Sequence, residues 1–115
     1  MLHILVVTTS EFKIVARVTE GGVARVSLSG DFDMSVGTRL TDTLVLAARE
    51  PGATRVVVDL KQTGFLDSHG LAGLVAGYEA AVLSGRPFTV VNATGLVRQV
   101  FDITGLAEVL IGEEP

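Results

Sequence analysis

At 115 residues the chain is long enough for one domain and for a core without staples, since about 65% of the unfolded surface can be buried at this size. Thirteen acidic residues against nine basic ones leave a net charge of −4, and the basic residues are scattered singly, which argues against the clustered footprint of a nucleic-acid binder. Cysteine is absent, so no disulfide framework or cysteine-based metal site can form, and the two histidines, His3 and His69, lie too far apart in sequence to suggest a metal pair.

The first residues, "LHILVV", are unusually apolar for an N-terminus. They lack the basic region and small-residue cleavage pattern of a signal peptide. Apolar runs such as 4–7 and 56–58 fall far short of the ~20 residues that a membrane span requires. A cytoplasmic domain without a membrane span is expected. The segment 1–11 is left as an extra edge strand, a homodimer contact or a poorly ordered start, with the folded domain over 12–115.

"FKIVARV" alternates Phe12, Ile14, Ala16 and Val18 against Lys13, Val15 and Arg17, which predicts a half-buried strand. "EGG" at 20–22 signals a turn, and "VARVSL" resumes the alternation, so the pair reads as an antiparallel hairpin. After "GDFD" the period changes: Val36, Leu40, Leu44 and Ala47 predict a helix with Ser35 as its cap. "RVVVDL", 55–60, is apolar on both faces, as a covered parallel strand should be. Leu71, Leu74, Val75, Tyr78 and Val82 mark a second helix, broken by "SGRP" at 84–87. "FTVVN" predicts another strand. A third helix, capped by Thr94 and ended by Gly105, carries Val97, Val100 and Phe101, and "EVLI" predicts a last short strand. The order is β-β-α-β-α-β-α-β. It predicts a single α/β domain with a mixed, mostly parallel sheet, an antiparallel edge hairpin and helices packed against it.

Working residues of such sheets gather beyond the carboxyl ends of strands, here in two expected loops at 30–33 and 61–70. Parallel pairing of their strands would bring Asp33 and Ser68 together. Ser68 precedes a helical stripe and is expected to be its N-cap, and Asp67 suits the same dipole. A catalytic serine would need a base; only His69 is adjacent, and no G-x-S-x-G elbow is present. A phospho-aspartate receiver would need a lysine at the last strand, but the lysines are Lys13 and Lys61. Asp59, inside an apolar run, is expected to be structural. Gly73 and Gly77 suit tight packing against the sheet or close partner approach. Arg98, Gln99, Lys61 and Gln62 read as solvated surface.

"RVVVDLKQTGFLDSHGL" resembles the signature of the STAS domain in bacterial anti-sigma factor antagonists. "LSGDFD" is similar to that family's loop after the second strand, and "VRQVFDITGLAEVL" to its last helix and strand, so that the resemblance runs over 12–111. It implies a regulatory binding module, not an enzyme, with no cofactor. Ser68 is then the residue phosphorylated by an anti-sigma factor that is also a serine kinase, and a phosphatase removes the mark. The unphosphorylated form binds that partner and frees a sigma factor. Asp33 is expected to assist recognition, and Asp67, His69, Gly70 and Leu71 complete the partner-binding segment. The sequence departs from the family at His69, where a small residue is commoner. Two alternatives keep the fold: a STAS scaffold without phosphorylation in a sensor complex, or a subunit of a lipid-transport complex.

Overall fold

The computed structural model describes residues 4–113, and its five strands are hydrogen-bonded in the order of the chain, β1-β2-β3-β4-β5. Strand β1 (Ile4–Thr8) turns into β2 (Phe12–Val18) through Thr9, whose hydroxyl accepts from the N–H groups of Glu11 and Phe12. The apolar N-terminus is therefore an edge strand over its described part; residues 1–3, including His3, lie outside the described residues. Strand β3 (Val23–Phe32) completes an antiparallel meander, with Phe12, Ile14, Ala16, Ala24, Val26 and Leu28 all turned into the core. This follows from the period-2 alternation of the two segments.

The chain then changes hand of pairing. Strand β4 (Arg55–Leu66) lies parallel to β3, and β5 (Phe88–Val91) parallel to β4. Because β1 adds a second antiparallel pairing to the expected hairpin, the sheet is mixed in equal parts instead of mostly parallel. Helices α1 (Arg39–Arg49) and α2 (Ser68–Leu83) form the crossovers and pack on each other. Their contact is close because α2 presents glycines: a Cβ at Gly73 would sit 3.1 Å from Leu40, and one at Gly77 would sit 2.8 Å from Leu44 Cβ. The tight packing expected of these glycines is thus against α1, with Phe88 of β5 also near Gly77, more than against the sheet as a whole.

Three boundaries differ from the sequence-based expectation. Strand β4 does not stop at Leu60 but continues through 61–66, alongside the last residues of β3, past register shifts after Ser27 and Gly30. Gly30 has φ +96, and a Cβ there would collide with Glu11 O, so this crossing of β2 and β3 admits only glycine. Helix α1 starts at Arg39, not after Ser35, because Asp33 first caps a short 3-10 turn over Met34–Val36 that ends at Gly37. Finally, helix α3 (Gly95–Thr104) ends at left-handed Gly105 as expected, but "EVLI" is not a strand. A four-residue helix α4 (Ala107–Leu110) buries Leu110, and only Ile111 makes a parallel bridge to Val90. A four-residue apolar run has no period that separates strand from helix.

Candidate functional site

The last registered pair of β3 and β4 is Phe32 with Leu66, so both strands deliver their next residue to the same end of the sheet. Those residues are Asp33 and Asp67, joined at the backbone by Asp67 N–H donating to Phe32 O at 3.2 Å. Each aspartate is an N-cap with extended backbone. Asp33 Oδ1 accepts from Ser35 N–H at 2.8 Å and from the Ser35 hydroxyl at 2.5 Å. Asp67 Oδ1 accepts from the N–H groups of His69 and Gly70 at 2.8 and 3.2 Å. A short carboxylate side chain reaches these orphan donors without strain, which is why aspartate suits both strand-to-helix junctions.

Ser68 is therefore not the cap. It is the first residue of α2, it is exposed, and its hydroxyl has no hydrogen-bond partner among the described residues. The expectation of a capping serine fails because the neighbouring carboxylate already holds the two available amides. His69 is also exposed, and its Nδ1 lies 3.9 Å from Asp67 Oδ2. The two bonds from Ser35 hold the Asp33 carboxyl below the usual carboxylate range, with a smaller electrostatic contribution from His69. The parallel pairing brings the two expected segments together, joined by the Asp67 N–H to Phe32 O bond.

Gly70 and Leu71 face inward. A Cβ on Gly70 would collide with Leu66 Cδ1 and stand 2.7 Å from Phe32 O, and Leu71 is part of the core. They set the height of the site without forming its surface. Asp59 has the structural role expected of it, accepting from Arg25 at 2.8 Å, Lys61 N–H at 2.9 Å and Asn92 at 3.0 Å. Burial raises its carboxyl, but these donors outweigh burial and leave it lowered.

Beside the capped junction lies an apolar groove of about 240 Å³, lined chiefly by Phe65, Leu66, Leu96, Val97, Val100 and Ile103. Phe65, Leu96 and Ile103 are exposed, as is Met34, the residue after Asp33. Sequence reasoning missed this surface. The available signals were the adjacent pair Phe65 and Leu66, which in a strand must point to opposite faces, and Leu96 and Ile103, seven apart on the third helix and outside its buried stripe. Among the described residues no acidic, histidine or cysteine cluster could hold a metal ion, and no helix is long and apolar enough to cross a membrane.

Comparison with known proteins agrees with this frame. A family model described as "Mlab, STAS domain" matches residues 15–112, and the chain belongs to the STAS domain family. Among solved structures, an anti-sigma factor antagonist from Mycobacterium paratuberculosis superposes with a TM-score of 0.76 at 26% identity, covering 90% of this chain and 87% of that one. The anti-sigma factor antagonist SpoIIAA in its unphosphorylated form gives 0.70 at 17% identity, with 88% of each chain covered. The Bacillus cell fate determinant SpoIIAA in its phosphorylated form gives 0.64 at 16% identity, covering 88% of this chain and 91% of that one. The last two show a common fold. The chain is a STAS domain that resembles anti-sigma factor antagonists.

Proposed function

We propose that this STAS domain is an anti-sigma factor antagonist of the cytoplasm, switched by phosphorylation of Ser68. The observation that carries the reading is the division of labour at the start of α2: Asp67 caps the helix and leaves the exposed Ser68 hydroxyl unengaged. A kinase can take such a hydroxyl without breaking the cap. The partner is an anti-sigma factor with serine kinase activity, and a phosphatase reverses the mark. The partner surface comprises Asp33, Asp67, Ser68 and His69, supported from behind by Gly70 and Leu71.

Phosphate would add about −1.5 to −2 charges. It would stand beside two carboxylates, so an interface fitted to a neutral hydroxyl would have to desolvate extra charge and volume. Binding weakens while the fold persists. The domain has no turnover of its own in this reading, because no base is hydrogen-bonded to Ser68. The test is incubation with the cognate anti-sigma kinase and ATP, followed by phosphosite mapping and measurement of affinity and melting for both forms. A loss of about 2.7 kcal/mol would weaken association about a hundredfold with little change in melting. A phosphate on another residue, or equal affinity of both forms, would overturn the proposal.

A second reading has one observation in its favour. The exposed imidazole of His69 adjoins Ser68 where the family commonly carries a small residue, and a bulky side chain there can obstruct a kinase. In that reading the same face serves an unswitched scaffold, or a subunit of a sensor or lipid-transport complex, and Ser68 stays unmodified in the kinase incubation.

A further inference from the structure

The geometry points to β1 as a self-pairing edge: two copies of this chain join antiparallel through Ile4–Thr8, centred on Val6, and merge their sheets. Strand β1 pairs only with β2 among the described residues, so its outer edge carries unpaired backbone groups. The Thr9 N–H to Phe12 O bond that closes the β1–β2 turn sets the alternation along the ladder. Leu5 and Val7 then bond inward to β2, while Ile4, Val6 and Thr8 turn their N–H and C=O groups outward. A two-fold through Val6 pairs Val6 with Val6, and Ile4 with Thr8, in the narrow hydrogen-bonded arrangement.

The side chains agree with that operator. Ile4 and Val6, 65% and 49% exposed, lie on the face away from the core, and Leu5 and Val7 pack against it. Cross-strand neighbours already run Val6 to Val15, Leu5 to Ala16 and Val7 to Ile14. The joined sheets would carry an unbroken row of four valines on the outer face. On the core face, Ala16, Leu5, Val7 and Ile14 would form a matching row. No charged residue occurs in "ILVVT", so the edge lacks the lysines and prolines that usually guard against such pairing. Among the described residues, the nearest like charges would be Arg17 of one copy and Lys13 of the other, in line with Ile4 and Thr8. Three strand spacings separate them, about 14 Å, which exceeds the Debye length of about 10 Å at 0.1 M salt. A second copy satisfies hydrogen bonding, apolar matching and charge together.

A five-residue edge buries less than the ~1,600 Å² of a standard interface, so the dimer is expected to be weak and concentration-dependent. Sedimentation velocity on the full chain from about 10 µM to about 1 mM covers the range where such a contact appears. The expected result is growth from monomer to dimer, with amide exchange at Ile4, Val6 and Thr8 slowing as concentration rises while Leu5 and Val7 stay constant. Val6→Lys sets two ammonium groups against each other on the axis and should weaken the dimer at least tenfold with unchanged melting of the monomer. Val6→Pro removes the outward donor, keeps the β1–β2 bonds and should do the same. A monomeric mass at every concentration, or a dimer that survives both substitutions, would overturn the inference. None of these readouts involves Ser68, so failure here leaves the phosphorylation switch standing.

Discussion

The carboxylate of Asp67 holds two amides of the first turn of α2, and the hydroxyl beside it holds none. Two substitutions one residue apart should therefore behave differently. Asp67→Ala is expected to cost about 1–2 kcal/mol of stability, the usual loss for an N-cap. Ser68→Ala should stay within about 0.5 kcal/mol of the parent, as exposed substitutions do, yet resist the kinase. Urea unfolding of both variants checks this; an equal loss in the two would mean that serine shares the cap. Asp59 gives a pH prediction. Its lowered carboxyl contributes stability that is full above about pH 3.9, the unfolded value, and is lost as pH falls through the folded value. Asp59→Ala should cost about 2 kcal/mol at pH 7, where bonds to charged groups are lost. The gap to the parent should narrow below pH 4, measured by unfolding from pH 7 down to pH 3.

At the scale of the elements, the two crossover helices use opposite means to reach the sheet. Helix α1 carries an ordinary apolar stripe of Leu40, Leu44, Ala47 and Ala48. Helix α2 instead buries Gly70, Gly73, Gly77, Ala80 and Ala81 with Leu71 and Leu74, so its backbone approaches its neighbours closely. Alanine at Gly70 would gain about 1 kcal/mol of helix propensity. Its methyl group would also meet a backbone carbonyl 2.7 Å away, which a rotamer change cannot relieve. Overpacking of this kind costs about 1–3 kcal/mol, and the start of α2 must lift from the end of β3. Gly70→Ala should therefore destabilise the domain in denaturant titrations and weaken partner binding as well, whereas a helix gain without loss would show that the junction yields. The stripe predicted for α2 ran to Val82, which is 55% exposed. With small residues on the buried face, the larger side chains no longer report which side is covered.

Over the whole molecule three carboxylates gather at one end of the sheet, with the cation Arg39 beside them through its bonds to Ser35 O and Val36 O. They are Asp31, Asp33 and Asp67, where β3 and β4 end, around the exposed Ser68. On the sheet face away from α1 and α2, the register aligns Arg17 with Arg25 and Lys13 with Ser29, and Asp59 answers Arg25 across 2.8 Å. On the proposed function, a partner that docks at the acidic end should be held partly by long-range attraction, which the volume and desolvation of a phosphate on Ser68 outweigh at contact. Raising salt from about 0.1 M to about 1 M shortens the Debye length from about 10 to about 3 Å. Affinity for the anti-sigma factor should fall across that range, and Asp33→Asn should flatten the dependence. Titration calorimetry at several ionic strengths decides it; affinity that is indifferent to salt would assign binding to the apolar groove of Phe65, Leu96 and Ile103.

Periodicity in the sequence determined the β2–β3 hairpin, the stripes that place α1 and α3, and the apolar core of β4, because residues two or about four apart share a face whatever surrounds them. The STAS resemblance likewise rested on local strings, above all "LDSHG" after an apolar strand. Contacts between distant segments decided the rest. That β4 runs to Leu66 depends on continued pairing with β3, and polar residues 61–64 carry no local sign of it. Which of two adjacent capping residues takes the amides depends on the backbone angles at the junction, and both Asp67 and Ser68 suit the position by composition. Of the basic residues that look scattered along the chain, Lys13, Arg17 and Arg25 meet on one sheet face only through register. Local propensity is a property of a few neighbouring residues; register, burial and the division between cap and exposed hydroxyl are properties of segments some 35 residues apart in the sequence that the parallel pairing of β3 and β4 brings together.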